Sequence, residues 1–349
     1  MTTDWPSVSP EASGFEPDLA DRLDMAIGDG RIVDLHGLVV VRKGALVLEH
    51  YGSGEDFKWN ESLGRVTFEA ATLHDIRSVS KSVTTLLYGI ALEHGRVPGP
   101  ATRLIDALPE YAAVAAEGWA ALTVEHALTM TLGIDWNEDL PYTSPDNSEI
   151  AMELAPDRYR YLVERPVVEE PGRTWHYCGG ATALVGRLVE AGTGRRLDEY
   201  AAEVLLRPLG IERFEWMTGA DGVPSAASGL RMAPRDLARI GQLVLSDGSW
   251  EGRQIVPQAW LEEALTPHVS IAPAFDYGYQ WYLGETTLAD RPARRVAWVA
   301  GIGNGGQRLF VFREFDLVVV IAAGAYNSAD QSATPTAIID DVLVPALKS

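Results

Sequence analysis

The 349-residue sequence has one cysteine, four lysines and no long apolar segment. A single cysteine, Cys178, excludes an internal disulfide framework and any CxxC metal or redox site. The longest apolar run, 317–323, is far shorter than the ~18 residues that cross a membrane. The amino terminus also shows neither a basic segment nor an apolar segment of a signal peptide. We therefore expect a cytoplasmic protein with no membrane role.

Basic residues are scarce as well, with 29 Lys and Arg against 49 Asp and Glu, for a net charge of −20. Such a chain repels phosphate backbones, so we expect no nucleic-acid partner. The seven histidines show no HxxxH or HxH spacing, so we expect no metal. Glycines 301, 303 and 306 satisfy GxGxxG, but a predicted strand follows them where a dinucleotide site needs a helix. No cofactor is expected, and the oligomeric state stays open.

The apolar pattern predicts an α+β fold. β-rich runs around a turn predict one hairpin at 38–48 and a second at 308–321, near opposite ends of the chain. Helices are predicted between and after them, at 78–92, 123–131, 148–164, 179–192, 196–206, 234–246 and 335–347. The pattern indicates an antiparallel sheet built from both ends of the chain, flanked by helices, with an inserted helical lobe. We expect a sheet domain of residues 1–82 and 230–349, a helical domain of residues 83–229, and an active site in the cleft between them.

Lys81 stands out because it lies in a predicted helix that is apolar on nearly every side. Burial favours the neutral form of an amine, which can then accept a proton near neutral pH. Ser78 lies one helical turn earlier on the same face, where an adjacent base would make it a nucleophile. The alternative is that Ser78 only caps the helix and Lys81 extends to solvent.

Tyr177 is the second candidate for proton transfer. A phenol can carry protons, or act as a base if a neighbouring cation lowers its pKa. Its alternative role is aromatic packing. His176 beside Cys178 allows a cysteine nucleophile, which we rank far lower. There is no G-x-S-x-G motif of the α/β-hydrolase kind.

Two further groups could line a substrate cleft. The aromatic residues Trp136, Tyr142 and Trp281 could form an apolar pocket, although most tryptophans are core residues. Asp135, Glu138 and Asp139 form an acidic cluster around Trp136. This cluster is either a solvated loop or a wall of the cleft.

Together these residues resemble the serine β-lactamase-like family of penicillin-recognising enzymes. The branch concerned contains class C β-lactamases, family VIII carboxylesterases, D-aminopeptidase-type hydrolases and 6-aminohexanoate-dimer hydrolase. SVSK at 78–81 matches the S-x-x-K motif, and YCG at 177–179 stands where Y-x-N is expected. GIG at 301–303 takes the place of K-T-G, and GNGGQ at 303–307 resembles the G-x-x-G-Q run of the esterases and amide hydrolases.

The resemblance implies a β-lactamase/transpeptidase-like fold and an acyl-enzyme on Ser78, with Lys81 and Tyr177 as the acid–base pair. It also implies that the backbone N–H groups of Ser78 and Asn304 hold the oxyanion. Gly301, Ile302 and Gly303 would form a strand edge that binds substrate.

Two departures from the family motifs affect the expected substrate. Gly179 replaces the asparagine of Y-x-N, and Gly301 replaces the lysine that pairs with a β-lactam carboxylate. We therefore expect a serine hydrolase of small esters. The alternative is an amidase on linear amides, such as aminohexanoate oligomers or D-amino-acid peptides. A β-lactamase and a non-catalytic binding protein rank lower.

Overall fold

The two longest described strands, of nine and eight residues, belong to one large sheet. The computed structural model describes residues 5–272, 275–288 and 294–348. Within these residues the strands are β1 (Leu35–Arg42), β2 (Ala45–Tyr51), β3 (Ser53–Lys58), β4 (Glu61–Thr67), β5 (His74–Asp75), β6 (Phe214–Trp216), β7 (Leu230–Met232), β8 (Ser249–Trp250), β9 (Arg253–Gln254), β10 (Val269–Ala272), β11 (Phe275–Tyr277), β12 (Tyr282–Thr287), β13 (Arg295–Gly303), β14 (Gln307–Phe312) and β15 (Leu317–Ala323).

One antiparallel sheet joins the two ends of the chain. Its strand order in the described residues is β10-β11-β12-β13-β14-β15-β1-β2, so the first strand pairs with the last. The predicted hairpins form β1–β2 and β14–β15. Two further pairs, β3–β4 and β8–β9, and a small sheet ordered β5-β7-β6 lie outside it.

Some helices pack on the two faces of this sheet, and others lie in the middle of the chain, between β5 and β6. They are α1 (Pro10–Ser13), α2 (Leu19–Gly28), α3 (Val79–Glu93), α4 (Leu104–Ala107), α5 (Val124–Leu128), α6 (Ser148–Glu153), α7 (Arg158–Val163), α8 (Gly179–Thr193), α9 (Leu197–Ala201), α10 (Pro234–Leu245), α11 (Gln258–Ala264), α12 (Ala333–Ala337) and α13 (Val344–Ala346). In the described part of the chain, no helix combines the length and apolarity that a membrane span requires.

Alternating side chains give the sheet two buried faces. Val318 and Val320 of β15 enter a core that includes α3 and α10. Val319 and Ile321 enter a second core that includes α2 and the π-helical turn Ile338–Leu343. The side chains of a strand point alternately to its two faces, and both faces of β15 are covered. Every residue of β15 is therefore apolar, which gives one continuous apolar run. The predicted α+β class, with an antiparallel sheet flanked by helices, is confirmed.

Some predicted helices are shorter or divided. The stretch 148–164 forms two helices because Pro156 cannot continue α6, and Asp157 caps α7 by accepting a hydrogen bond from the Arg160 N–H. Helix α5 ends at Leu128, shortly before Met130 adopts a left-handed backbone with φ of 57°. The helices α4 to α9 all lie within 83–229. The domain boundaries at 82/83 and 229/230 stay a prediction.

Gly89 of α3 provides a test of this packing. Alanine normally stabilises a helix interior relative to glycine, but a Cβ at position 89 would lie 2.0 Å from Cδ1 of Trp260. We expect Gly89→Ala to lower the free energy of unfolding by about 1–3 kcal/mol, as overpacking does. Urea denaturation would measure the change.

The matched control is Gly28→Ala, because Gly28 ends α2 and a Cβ added there would meet no atom within 4 Å. This control should be neutral or slightly stabilising. Equal stability of Gly89→Ala and wild type would contradict the close packing of α3 on Trp260.

Candidate active site

Helix α3 brings Ser78 and Lys81 together. Lys81 Nζ lies 3.1 Å from Ser78 Oγ and 3.2 Å from the Ala227 carbonyl oxygen. The lysine is only 2% exposed, so it does not extend to solvent. Ser78 occupies the N-cap position, but its side chain makes no capping hydrogen bond. The hydroxyl therefore faces the amine rather than the helix end.

The turn before Ser78 is conformationally unusual. Arg77 adopts a left-handed backbone with φ of 49°, a region that non-glycine residues occupy only when their surroundings hold them there. Its side chain is held by Asp75, 3.2 Å from Arg77 Nε, and its guanidinium lies 4.8 Å from the centre of the Tyr326 ring. These contacts fix the direction in which Ser78 leaves the turn.

Tyr177 lies two residues before the start of α8 and contacts the pair formed by Ser78 and Lys81. Its ring centre lies 4.8 Å from Lys81 Nζ. Burial raises the pKa of the phenol well above its ordinary value, and the carboxyls of Glu138 and Glu149 raise it further. A hydrogen bond with Ser78 lowers this pKa, but its effect is smaller. The lowered pKa that would make Tyr177 a phenolate base is therefore not found. Tyr177 is a neutral hydroxyl within reach of Ser78.

Two buried carboxyls lie behind this group. Glu138 accepts hydrogen bonds from the Gly179 N–H at 2.6 Å, from Trp136 Nε1 at 2.8 Å and from the Tyr142 hydroxyl at 2.8 Å. Of the acidic cluster predicted around Trp136, this residue is buried and the solvated-loop interpretation does not apply to it.

The second carboxyl, Glu149, lies at the start of α6 and is 2% exposed. Its Oε1 accepts a hydrogen bond from Ser228 at 2.9 Å, and its Oε2 has no hydrogen-bond partner among the described residues. Burial and the charge of Glu149 raise the pKa of Glu138 well above its usual range. Burial also acts to raise the pKa of Glu149, but the charge of Lys81 and hydrogen bonds outweigh it and lower that pKa. The two pKa values are thus shifted in opposite directions, so Glu138 keeps its proton more readily than Glu149.

The same geometry explains why residue 179 is glycine. A Cβ at this position would lie 2.9 Å from Cδ of Glu149. The asparagine expected from the Y-x-N motif has no room while Glu149 is in place. The carboxyl of Glu149 therefore occupies the space that an asparagine side chain at 179 would need.

A cavity of about 340 Å³ opens in front of Ser78. Its described lining combines aromatic, apolar and charged side chains with small residues: Trp59, Asn60, Arg77, Ser78, Tyr142, Glu149, Ile150, Glu153, Leu154, Thr218, Gly219, Ala220, Ser228, Asn304 and Asn327. No histidine or cysteine is among these lining residues, and the set offers no metal centre. Ser78 and Asn304, the two predicted oxyanion donors, share this cavity, and so does Tyr142.

Three predicted substrate-binding side chains lie elsewhere. Trp281 is fully buried in the core that contains α3, where its large apolar surface is removed from water. Trp136 is also buried there and positions Glu138 instead of lining the cavity. Ile302 packs against the second core, on the opposite face of the sheet. None of these three side chains is among the described residues that line the cavity, and their contact with substrate stays a prediction.

Gly301 and Gly303 bring β13 close to α3. A Cβ at 301 would lie 2.9 Å from Cγ1 of Val79, and one at 303 would lie 2.6 Å from the Ile76 carbonyl oxygen. A lysine at 301 would force Val79 aside, so the departure from K-T-G follows from tight packing. These glycines support the wall of the site and allow Asn304 to reach the cavity.

Twelve of the fifteen described lining residues had no predicted role, among them the polar residues Arg77, Glu149, Glu153 and Ser228. Glu149 and Glu153 lie one turn apart on a short helix, and neither their spacing nor their neighbours distinguish them from a solvated helix face. Arg77 directly precedes the S-x-x-K motif, whereas Ser228 lies far from the four motifs. Cys178 is buried, which raises the pKa of its thiol, so the cysteine nucleophile is disfavoured.

Fold and site together define a class of protein, the hydrolases built on the fold of β-lactamases and penicillin-binding proteins. A sequence model of the family described as Beta-lactamase matches residues 30–342, and the chain belongs to this family. Among its relatives, 6-aminohexanoate-dimer hydrolase of Paenarthrobacter ureafaciens is 27% identical over 328 residues, which cover 87% of this chain and 74% of the relative.

Solved structures share the fold at lower identity. A Bacillus anthracis protein provisionally named 6-aminohexanoate-dimer hydrolase superposes with a TM-score of 0.76 at 20% identity, covering 97% of this chain and 86% of that one. EstCE1, described as a hydrolase with promiscuous acyltransferase activity, gives 0.68 at 17% identity, covering 91% and 98%. A penicillin-binding protein homologue from Caulobacter crescentus gives 0.69 at 17% identity, covering 97% and 99%.

The contact between Gly179 and Glu149 yields a double-mutant test. Gly179→Asn should lower the free energy of unfolding by about 1–3 kcal/mol, because the new side chain overlaps the carboxyl of Glu149. In the Glu149→Ala background the same substitution should cost clearly less, since the overlapping group is gone. Urea denaturation of the four proteins would measure both costs.

An equal cost of Gly179→Asn in both backgrounds would contradict this account of the glycine. Gly28→Ala, far from the site, serves again as the control for a change at a helical glycine without neighbours.

Proposed function

We propose that the protein is a serine hydrolase that cleaves small linear amides, and esters as a second class, through an acyl-enzyme on Ser78. The observation that carries the proposal is the approach of Lys81 Nζ to Ser78 Oγ, 3.1 Å, at the edge of a cavity of substrate size. A nucleophile and a base within hydrogen-bond reach are the signature of covalent catalysis.

The reaction begins when Ser78 Oγ attacks the carbonyl carbon and its proton moves to Lys81. Because the phenol of Tyr177 holds its proton, the amine of Lys81 is the acceptor. The backbone N–H groups of Ser78 and Asn304 hold the oxyanion.

The tetrahedral intermediate then expels the amine or alcohol, which takes the proton back from Lys81 through the hydroxyl of Tyr177. Water attacks the acyl-enzyme next, gives its proton to the same pair and releases the acid. Ser78 ends protonated and the cycle is closed. Tyr177 thus passes protons without ionising in the resting state.

The preference for amides over the esters expected from the sequence has two supports. Relatives named as 6-aminohexanoate-dimer hydrolases match along most of the chain. The cavity also presents the carboxyls of Glu149 and Glu153 beside the apolar side chains of Ile150 and Leu154. This combination suits a substrate with an apolar chain and a terminal ammonium. Esters remain the second class because EstCE1 shares the fold.

Substitution of the nucleophile tests the proposal. Ser78→Ala should reduce hydrolysis of both p-nitrophenyl butyrate and a 6-aminohexanoate dimer by at least about 10³-fold, with an unchanged fold by circular dichroism. A fluorophosphonate serine probe should label the wild type and fail to label this variant. Initial rates and mass spectrometry of the labelled chain would give both results.

The control is Ser7→Ala, since Ser7 is exposed and is not among the described residues that line the cavity, so this variant should keep full activity. Normal turnover by Ser78→Ala would refute the nucleophile assignment. Absence of both turnover and labelling in the wild type would favour a binding role.

Glu153 predicts a pH dependence of substrate affinity. Burial raises the pKa of this carboxyl to about 7, so its negative charge appears as the pH rises from 6 to 8. The KM for an amide with a free terminal ammonium should therefore fall over this interval by roughly fivefold, the effect of about 1 kcal/mol of ion-pair attraction. Steady-state kinetics at the two pH values would measure it.

Glu153→Gln should remove the pH dependence of KM, and an N-acetylated substrate should not show it with either protein. An unchanged pH dependence in Glu153→Gln would contradict the role of this carboxyl in binding an ammonium.

A further inference from the structure

A second buried polar cluster lies behind the nucleophile, outside the cavity. It joins His36 of β1, Asp56 of β3 and His74 of β5, which are 1%, 1% and 2% exposed. The ligating atoms of these residues lie within 4.8 Å of one another. Tyr326, just after β15, adds a hydroxyl 3.1 Å from Asp56 Oδ1. Phe68 stacks on His36 at 4.3 Å between ring centres and keeps water from that side.

The carboxylate of Asp56 is not compensated by the residues around it. Tyr326 donates its one proton, and no lysine or arginine in the described part of the chain pairs with Asp56. Asp56 Oδ2 has no hydrogen-bond partner within the same residues. Buried charges are paired or coordinate metals, and an unpaired one costs several kcal/mol. A cation bound within the cluster would compensate the carboxylate of Asp56.

The spacing of the four donor atoms suits a tetrahedral cation. His74 Nε2 lies 2.9 Å from His36 Nδ1, 3.6 Å from Asp56 Oδ1 and 3.4 Å from the Tyr326 oxygen. Four ligands at about 2.0–2.1 Å from a tetrahedral zinc ion are separated by about 3.3–3.4 Å. These three distances, and the 3.1 Å between the Tyr326 oxygen and Asp56 Oδ1, lie within about half an ångström of that spacing, and the His36 and Asp56 ligand atoms lie within 4.8 Å of each other.

The surroundings of His74 also fit a metal ligand. Its Nδ1 lies 3.0 Å from the Asp75 carbonyl oxygen, so Nδ1 carries the proton and Nε2 keeps its lone pair toward the cluster. This backbone contact is the outer interaction that commonly orients ligating histidines. Two imidazoles with two oxygen donors favour zinc over magnesium or calcium, which prefer oxygen ligands.

We propose that His36, Asp56, His74 and Tyr326 form a zinc-binding site. The ion would be structural, because none of these residues lines the cavity. It would join β1, β3 and β5 behind the turn that presents Ser78, three residues after the end of β5. Tyr326 would connect the ion to this turn, because its ring lies against the guanidinium of Arg77.

Metal content and stability test the site independently of any catalytic activity. The full chain would be stripped with a chelator, titrated with zinc and passed through gel filtration before elemental analysis. We expect one zinc per chain and a higher melting temperature with zinc than with chelator. Cobalt substitution should give the intense visible absorption of a tetrahedral site.

Asp56→Asn and His74→Gln should lose the bound zinc, whereas His94→Gln, which changes an exposed histidine after α3, should keep it. If the first two variants fail to fold, Tyr326→Phe keeps the ring and removes one ligand. This variant should bind zinc at least about tenfold more weakly.

Two results would overturn the proposal. If the wild type retains no stoichiometric zinc and gains no stability from it, a proton on His74 compensates Asp56 instead. If all variants bind zinc as tightly as the wild type, the ion is held at the surface. Neither result bears on whether Ser78 is the nucleophile.

Discussion

The site depends on one constraint, the burial of an amine in an apolar helix. Lys81 is 2% exposed, and a buried ammonium without partners would cost several kcal/mol. The chain meets this cost with Ser78 Oγ, the Ala227 carbonyl oxygen and the nearby carboxyls of Glu138 and Glu149. Each of these contacts also holds the amine beside the Ser78 hydroxyl. The same contacts therefore make the burial tolerable and fix the geometry of the Ser78–Lys81 pair.

Close packing around this lysine accounts for both departures from the family motifs. At 179 a side chain would meet Glu149, and at 301 it would meet Val79, each at 2.9 Å from the first added atom. Losing a lysine at 301 removes a cation that would attract a carboxylated lactam. Gaining Glu149 adds an acid to the cavity and to the charge balance of Lys81. Both departures from the family motifs thus follow from the space available at the two glycines.

The parts of the site that were predictable are local in sequence. Ser78 and Lys81 lie one helical turn apart, so the motif alone predicts that they meet. The apolar run of β15 likewise predicts a buried strand. Glu149 escapes such reasoning because it becomes informative only when α6 places it against Gly179, 30 residues later in the chain. Trp281 lies in the core and not in the cavity lining, and the sequence gives no sign of this because a tryptophan in the core and one in a pocket look alike there. The cluster of His36, Asp56 and His74 has no regular spacing and exists only through strand pairing.

Two groups of buried polar side chains contact the surroundings of Ser78, and they differ in their place relative to the cavity. Glu149 lies among the lining residues, and its charge and that of Glu138 act on Lys81. The group around Asp56 lies outside the described lining, but Arg77 connects it to the turn before Ser78 through Asp75 and Tyr326. A residue that follows a strained turn keeps its geometry only if the support beneath it is rigid. The carboxyls therefore set the charge around Lys81, whereas the contacts of Arg77 hold the backbone that presents Ser78.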